Sequence, residues 1–355
     1  MKEQEILQNI GFLIFYGGVI MLEVVAALYL LLRRGNAIAA EVTSIPRLRQ
    51  WAAAFLFACA LSHLLWIFYV YHQSTVVYTI VCGLDLVIMY PTIAGILMSM
   101  LQDQHRPVWP SSLALAPAVV LLIVSVIRGD DSLYFFISIY VILLYAALML
   151  FMLFAVKRYG RWLQDNYADM EHKEIWQSFL ILVVFLLFFI MYSSAYTWNT
   201  ILEYALQIGC VVVVAIVLWR VETLQLLSDI TPQEESPQPA IHAKIGPLLK
   251  KHCEDRQLYL QNDLTLAQLA QAIGTNRYYL SQHFANQGIT YNSYINGLRV
   301  RHFIRLCQEA VASQRVLTAQ QLAFESGFHS YSTFSAAFKQ HTGKTVTAWM
   351  HDAAE

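Results

Sequence analysis

Four ionisable side chains stand inside long apolar runs: Glu23, His63, Asp85 and Glu203. Such groups are costly within a bilayer and by default mark a functional site, where a carboxylate or imidazole can hold a proton, pair with a charge or grip a ligand. Measured along a helix from the outer end of each run, His63 and Asp85 fall at similar depths of roughly 10 to 14 Å, with Glu203 shallower and Glu23 deeper. Two readings stay open. The four line a polar sensor pocket facing the outside, or Glu203 sits at the interface and the other three hydrogen-bond neighbouring helices. A second set of chemically capable residues lies near the C-terminus. Two short segments, about Asn276–Ala285 and about Ser330–Gln340, are rich in Arg, Asn, Gln, Ser, Thr and Tyr, the side chains that bond to bases and phosphates. The candidate DNA contacts are Asn276, Arg277, Tyr278, Tyr279, Ser281 and Gln282 in the first, and His329, Ser330, Tyr331, Ser332, Thr333, Ser335 and Lys339 in the second.

Other chemistries lack their residues. Before residue 243 the lysines are Lys2, Lys157 and Lys173, none inside an apolar run, so a retinal Schiff base has no anchor. No HExxH helix, Gly-rich phosphate loop or GxSxG elbow occurs, and no catalytic residues are assigned. Cys59, Cys82, Cys210, Cys253 and Cys307 show no paired spacing and read as packing thiols, and His283, His329 and His341 lack metal-ligand spacing. The expectation is therefore no enzyme, no cofactor and no metal.

The elements that must position these residues differ along the chain. Of 355 residues 57% are hydrophobic and 13% charged, against about 25% charged in soluble domains. Seven apolar stretches, at 10–32, 51–70, 76–100, 108–127, 133–156, 176–197 and 200–219, each approach the ~20 residues that cross a bilayer as a helix. The fourth is the weakest, with Pro107, Pro110 and Pro117 at its start. The first is too long, and its preceding residues too acidic, for a cleaved signal peptide. With the N-terminus outside, the inner loops hold ten basic residues (Arg33, Arg34, Arg47, Arg49, Arg106, Lys157, Arg158, Arg161, Lys173, Arg220) and the outer segments two (Lys2, Arg128). That asymmetry puts the C-terminus in the cytoplasm and keeps the fourth span in the count.

Past the seventh span, Val221, Leu224 and Leu227 continue a helical spacing to about Ile230, as a stripe that pairs two chains or lies on the lipid surface. Residues 231–243, with three prolines, read as an extended linker. Residues 244–355 hold 11 basic against 7 acidic side chains, a net of +4, and helical periodicity throughout. Two segments there have helix-turn-helix spacing. In the first, Ala270 is small where helices cross, Gly274 takes the turn and Leu280 packs the second helix back; in the other, Ala323, Gly327 and Phe334 play these parts. Thr265 and Thr318 suit the N-caps. Tyr291 to about Val311 forms the helix between the units, roughly 31 Å long against the ~34 Å between successive major-groove faces.

This region resembles the DNA-binding domain of the AraC/XylS family of transcription regulators. The likeness rests on the LAxxxG of the first unit, Tyr279-Leu280-Ser281 with Phe284, the stretch from Tyr294-Ile295-Asn296 to Leu298-Arg299, Gly327-Phe328, Tyr331, Phe334-Ser335, Phe338-Lys339 and Thr342-Gly343-Lys344-Thr345. It implies two recognition helices in adjacent major grooves of promoter DNA, a separate signal-sensing domain and a bacterial cytoplasmic membrane; a homodimer and RNA polymerase are further partners. Where the family usually has Arg or Lys, this chain has Gln282, Ala285 and Ala336, and Val346 and Met350 replace the usual Pro and Arg near the end. Phosphate contacts are thereby thinned.

The expectation is an all-α chain: a seven-transmembrane-helix bundle over 1–220, a juxtamembrane helix and Pro-rich linker over 221–243, and a cytoplasmic double helix-turn-helix domain over 244–355. Its function would be that of a membrane-integrated, one-component transcription regulator. The alternative is a receptor or transporter-like protein whose helical domain binds another protein.

Overall fold

The computed structural model describes residues 9–33, 35–40, 42–72, 74–101, 107–129, 132–169, 173, 200–227, 245–313 and 318–354. Among them the secondary structure is helical, and the chain divides into two compact units.

The first unit takes Met1–Tyr159 and Ile175–Leu227. Its helices are α1 (Ile10–Leu32), α2 (Pro46–His72), α3 (Thr75–Met100), α4 (Trp109–Leu113), α5 (Ala116–Arg128), α6 (Tyr134–Asn166) and α7 (Thr200–Thr223). Six candidate spans are long and apolar enough to cross a membrane among the described residues, the fourth being α4 and α5 together. Pro117 explains the break between them: proline suits the first turn of a new helix, and Ala114 and Leu115 form the intervening turn. The expected sixth span, 176–197, lies outside the described residues.

Helix α1 packs on α2 and α7, and α2 packs on α3. The contact of α2 with α3 is close because Gly95 lies against the Trp51 ring, where a Cβ would come within 2.2 Å. The outward faces remain apolar, with Ile14, Met21, Val25, Phe135, Ile142 and Phe154 all exposed, as lipid contact requires.

At one end of this unit a buried polar knot ties three helices. Arg49 Nη1 lies 3.0 Å from Glu222 Oε1 and donates to Asn36 Oδ1 at 3.0 Å, while the other Glu222 oxygen accepts from the Ala37 and Ile38 amides. The expected juxtamembrane helix is corrected here. Helix α7 stops at Thr223, the Leu226 amide donates to the Thr43 carbonyl at 2.9 Å, and Val221, Leu224 and Leu227 are buried. The apolar stripe seals this unit's own core instead of pairing chains or lying on lipid. Residues 228–244 lie outside the described residues.

The second unit takes Gly160–Glu174 and Ser228–Glu355, so it includes a stretch that the sequence had assigned to the membrane domain. Helix α8 (Ile245–Leu249) runs into a π-helical turn (Lys250–Glu254), and a 3₁₀ turn follows (Leu258–Leu260). Then come α9 (Leu266–Ile273), α10 (Arg277–Asn286), α11 (Tyr291–Ala312), α12 (Ala319–Glu325), α13 (Tyr331–Thr342) and α14 (Val346–Ala354). Helix α11 serves two cores. Tyr291, Ile295 and Leu298 pack with α9 and α10; Val300, Phe303 and Cys307 pack with α12 and α13.

Candidate nucleic-acid interface

Each helix-turn-helix unit is built by local rules that its sequence carries. Thr265 and Gln268 form a reciprocal capping box at the start of α9, and Thr318 and Gln321 repeat it at α12, each cap being worth about 1 kcal/mol. Gly274 ends α9 with φ +75°, in the left-handed region where a side chain is strained. Gly327 has φ +88°, and a Cβ there would lie 2.7 Å from the Leu260 Cα. The second turn therefore needs glycine twice over, for conformation and for space. Ala270 and Ala323 are buried at the helix crossings, and Leu280 and Phe334 are fully buried behind the second helices.

Those second helices, α10 and α13, place the candidate contacts. Leu280 and Phe284 face inward on α10, as do Phe334 and Phe338 on α13. The opposite helical spacing leaves Tyr278 with Gln282, and Tyr331 with Lys339, exposed one or two turns apart. His329 and Ser332 are exposed as well, whereas Arg277, Ser281, Thr333 and Ser335 are half-buried. Three candidates have structural duties. The Asn276 side chain accepts from the Tyr279 amide at 3.0 Å, and the Ser330 hydroxyl accepts from the Thr333 amide at 3.3 Å, so both are N-caps. Tyr279 is corrected outright: at 4% exposure it belongs to the core beneath α10. Gln282, Ala285 and Ala336, which replace basic residues, are all exposed, while Val346 is buried in the second core at the start of α14.

Arg299 has no access to DNA. It is fully buried, donates from Nε to the Tyr259 carbonyl and from Nη2 to the Gln261 carbonyl, each at 2.8 Å, and lies 5.7 Å from the Phe328 ring centre.

A feature without a sequence signal is the docking of residues 160–169 on the first unit of this domain. Ala168 is fully buried in its core, Tyr167 bridges to Thr265, and the Asn292 amide donates to the Ala168 carbonyl at 2.7 Å. Asn296 donates to the same carbonyl at 3.1 Å. Trp162 stacks beside Arg277, with 5.9 Å from the guanidinium to the ring centre. Burial pulls the Arg277 guanidinium below its ordinary range, with the nearby Tyr167 opposing.

In the first unit the candidate sensor residues are brought together only in part. His63 Nδ1 lies 3.2 Å from Glu23 Oε2, and Asp85 stays alongside, half-buried and hydrogen-bonded to Ser62. Glu203 is 2% exposed, in the first turn of α7, so it is packed against protein at that end of the helix. Sequence reasoning missed Gln207 and Cys210, whose Oε1 and Sγ lie 3.1 Å and 3.8 Å from His63 Nε2. Both sit on α7 at helical spacing from Glu203. A polar side chain one turn and a thiol two turns further along that carboxylate's face were the available signal.

Two helix-turn-helix units on a shared central helix, beside candidate membrane spans, define the class of protein. A family model described as a helix-turn-helix domain matches residues 269–352, from the middle of α9 into α14. The C-terminal region is thus an AraC-type helix-turn-helix domain, a kind typical of non-enzymatic regulators. Among curated proteins and among solved structures, none matches.

Proposed function

We propose that this chain is a membrane-integrated, one-component transcription regulator, in which α10 and α13 enter adjacent major grooves of promoter DNA. The observation that carries the reading is the pair of capped, outward-facing second helices on the common support of α11, whose 22 residues extend about 33 Å. That length suits two contacts one turn of duplex apart. Tyr278, Gln282, Tyr331 and Lys339 are the exposed readers, Arg277 joins them once uncovered, and Asn276 and Ser330 hold the helix ends.

The membrane module would span seven times, with the N-terminus outside and the DNA-binding domain in the cytoplasm. Parity supports this. The starts of α1 and α7 meet, Phe12 and Tyr204 having ring centres 5.3 Å apart, and their ends meet through Glu222 and the Ala37 amide. First and last spans that run parallel require an odd number of crossings. Arg33, Arg47, Arg49 and Arg220 gather at the end that the charge rule assigns to the cytoplasm. Control of transcription would pass through residues 160–169, the end of α6 and the residues after it, which pack against the DNA-binding domain itself.

The test is selection of bound sequences from random duplexes by the full chain in lipid nanodiscs, at two salt concentrations. A two-part motif with centres one helical turn apart, and binding that weakens with salt by about 0.9 log units per log unit for each phosphate contact, is the expected outcome. If no sequence is enriched, the domain binds a protein instead, and the exposed Gln282, Ala285 and Ala336 have cost it DNA.

A further inference from the structure

We propose that Glu23, His63 and Cys210 form a site for a soft divalent metal cation within the membrane module, with zinc as the ion that best fits the donors. One donor atom from each of the three lies within 4.8 Å of the other two. They come from three different spans, α1, α2 and α7. Glu23 is 1% exposed, and its Oε2 has no hydrogen-bond donor although it points at the imidazole. A buried carboxylate oxygen left in that condition costs several kcal/mol in general; a cation between it and the other donors removes the cost.

The donor chemistry is selective. Imidazole nitrogen, thiolate and carboxylate together suit zinc and its neighbours in the first transition row, and they do not suit magnesium or calcium, which take oxygen alone. In a tetrahedral zinc site, donor atoms stand about 3.3–3.7 Å apart. Here Cys210 Sγ is 3.8 Å from His63 Nε2, while Glu23 Oε2 is 3.2 Å from Nδ1 on the same ring, so closure around an ion at Nε2 needs the Glu23 side chain to swing across to that nitrogen, within the 4.8 Å that the three donors span. The tautomer is prepared as well: His63 Nδ1 is 2.9 Å from the Cys59 carbonyl, to which it can donate its proton. That leaves the Nε2 lone pair facing Cys210 Sγ and, at 3.1 Å, Gln207 Oε1 as a fourth oxygen donor. A carbonyl fixing the far nitrogen is the usual outer support of a metal-bound histidine.

Charge balance favours the same answer. On coordination the Cys210 thiol loses its proton to solvent, and the thiolate, the Glu23 carboxylate, a neutral His63 and a divalent ion sum to zero. A neutral cluster is what a low-dielectric membrane interior tolerates. The ion would join α1 and α2 to α7, the helix whose far end carries Glu222 against Arg49. Its use as the regulator's signal rests on the function proposed above, whereas the binding itself does not.

The experiment takes the full chain in nanodiscs, stripped with a chelator, and titrates cobalt(II) and cadmium(II) while recording thiolate-to-metal charge-transfer absorption. One ion per chain and a thiolate band are expected. Cys210→Ser should abolish the band. Glu23→Gln and His63→Asn should weaken binding by more than the ~10–100-fold that loss of an outer partner costs. Cys59→Ser keeps the carbonyl and should leave the band intact. In the unmodified chain, zinc should slow alkylation of Cys210, read by mass spectrometry, a measurement that needs no variant to fold. No band, a band that survives Cys210→Ser, or alkylation indifferent to zinc would overturn the site and leave a His63–Glu23 ion pair. If zinc binds as described but DNA affinity does not change with it, the site stands and its role as signal is lost.

Discussion

The Arg277 guanidinium lies 5.9 Å from the centre of the Trp162 ring, which sets the first residue of a recognition helix against the end of α6. The guanidinium proposed to reach a phosphate or a base edge is thereby partly covered. Such contacts are worth about 0.5–2 kcal/mol according to their desolvation. Trp162→Ala in the full chain should therefore tighten binding to the selected duplex, by a factor between about 2 and 30. Arg277→Ala should weaken it and reduce its salt dependence. Fluorescence anisotropy with labelled DNA reads both; equal or weaker binding by Trp162→Ala would mean that the contact does not compete with DNA.

The polar knot within the chain's first unit predicts a stability pattern. Arg49 and Glu222 are 5% and 2% exposed in their side chains and 3.0 Å apart. Removing one member of such a pair strands the other and costs about 3–5 kcal/mol, whereas replacing both with apolar residues is often neutral. Glu222→Ala and Arg49→Met should each lower the thermal midpoint and the yield of folded protein. The double variant Arg49→Met, Glu222→Leu should recover most of the loss, and failure to recover would show that Asn36 and the Ala37 amide depend on the charges.

Acid should loosen the DNA-binding domain. Burial pushes the His302 imidazole below its ordinary range, and the positive Arg305 adds to this while Glu309 and Glu325 oppose it. Burial and then Arg301 push His341 the same way. The geometry agrees: Tyr259 Oη and Arg305 Nη2 both lie 2.9 Å from His302 Nδ1, as donors to a neutral ring would. A folded-state value below the unfolded one means that the unfolded chain binds more protons. The stability contributed is thus full above about pH 6.5 and is lost as pH falls below it. Melting curves between neutral and mildly acid pH should show the decline, and His302→Gln should flatten part of it.

Much of the DNA-binding domain was legible because its determinants are local. Thr265, Gly274 and Thr318 each act within a few residues of where they stand, as does Gly327 in its turn conformation, and all four adopt the expected roles. The recognition helices differ from their expected limits by one or two residues. What was not legible depends on distant partners. Tyr279 has the composition of a base reader but the position of a core residue. Leu224 and Leu227 continue a helical period, yet the helix ends because their own unit's core accepts them. Cys210 in an apolar run is indistinguishable from a packing thiol until His63 is brought to it. The docking of residues 160–169 has no periodic signal, since one buried alanine and two side-chain amides carry it.

Arg299 carries the last prediction, because its charge serves the fold. It is fully buried within α11, between the two cores, and donates to the carbonyls of Tyr259, Gln261 and Asn262 and to Asn296 Oδ1. Those carbonyls belong to the 3₁₀ turn and the residues after it, outside any α-helix. The same turn supplies Leu260, the residue that forbids a side chain at Gly327, and the guanidinium lies over the Phe328 ring. One side chain therefore fixes the first unit's entry loop and the turn of the second. Arg299→Met fills the volume but leaves the carbonyl acceptors dry, and it should cost about 3–5 kcal/mol. Arg299→Lys keeps the charge, cannot span the same acceptors with one ammonium, and should cost about 1–3 kcal/mol. Hydrogen exchange of the full chain should report both losses as faster exchange in Leu258–Leu260 and in α12 and α13 together. If exchange quickened in the first unit alone, the two cores would be independent and Arg299 would not couple them.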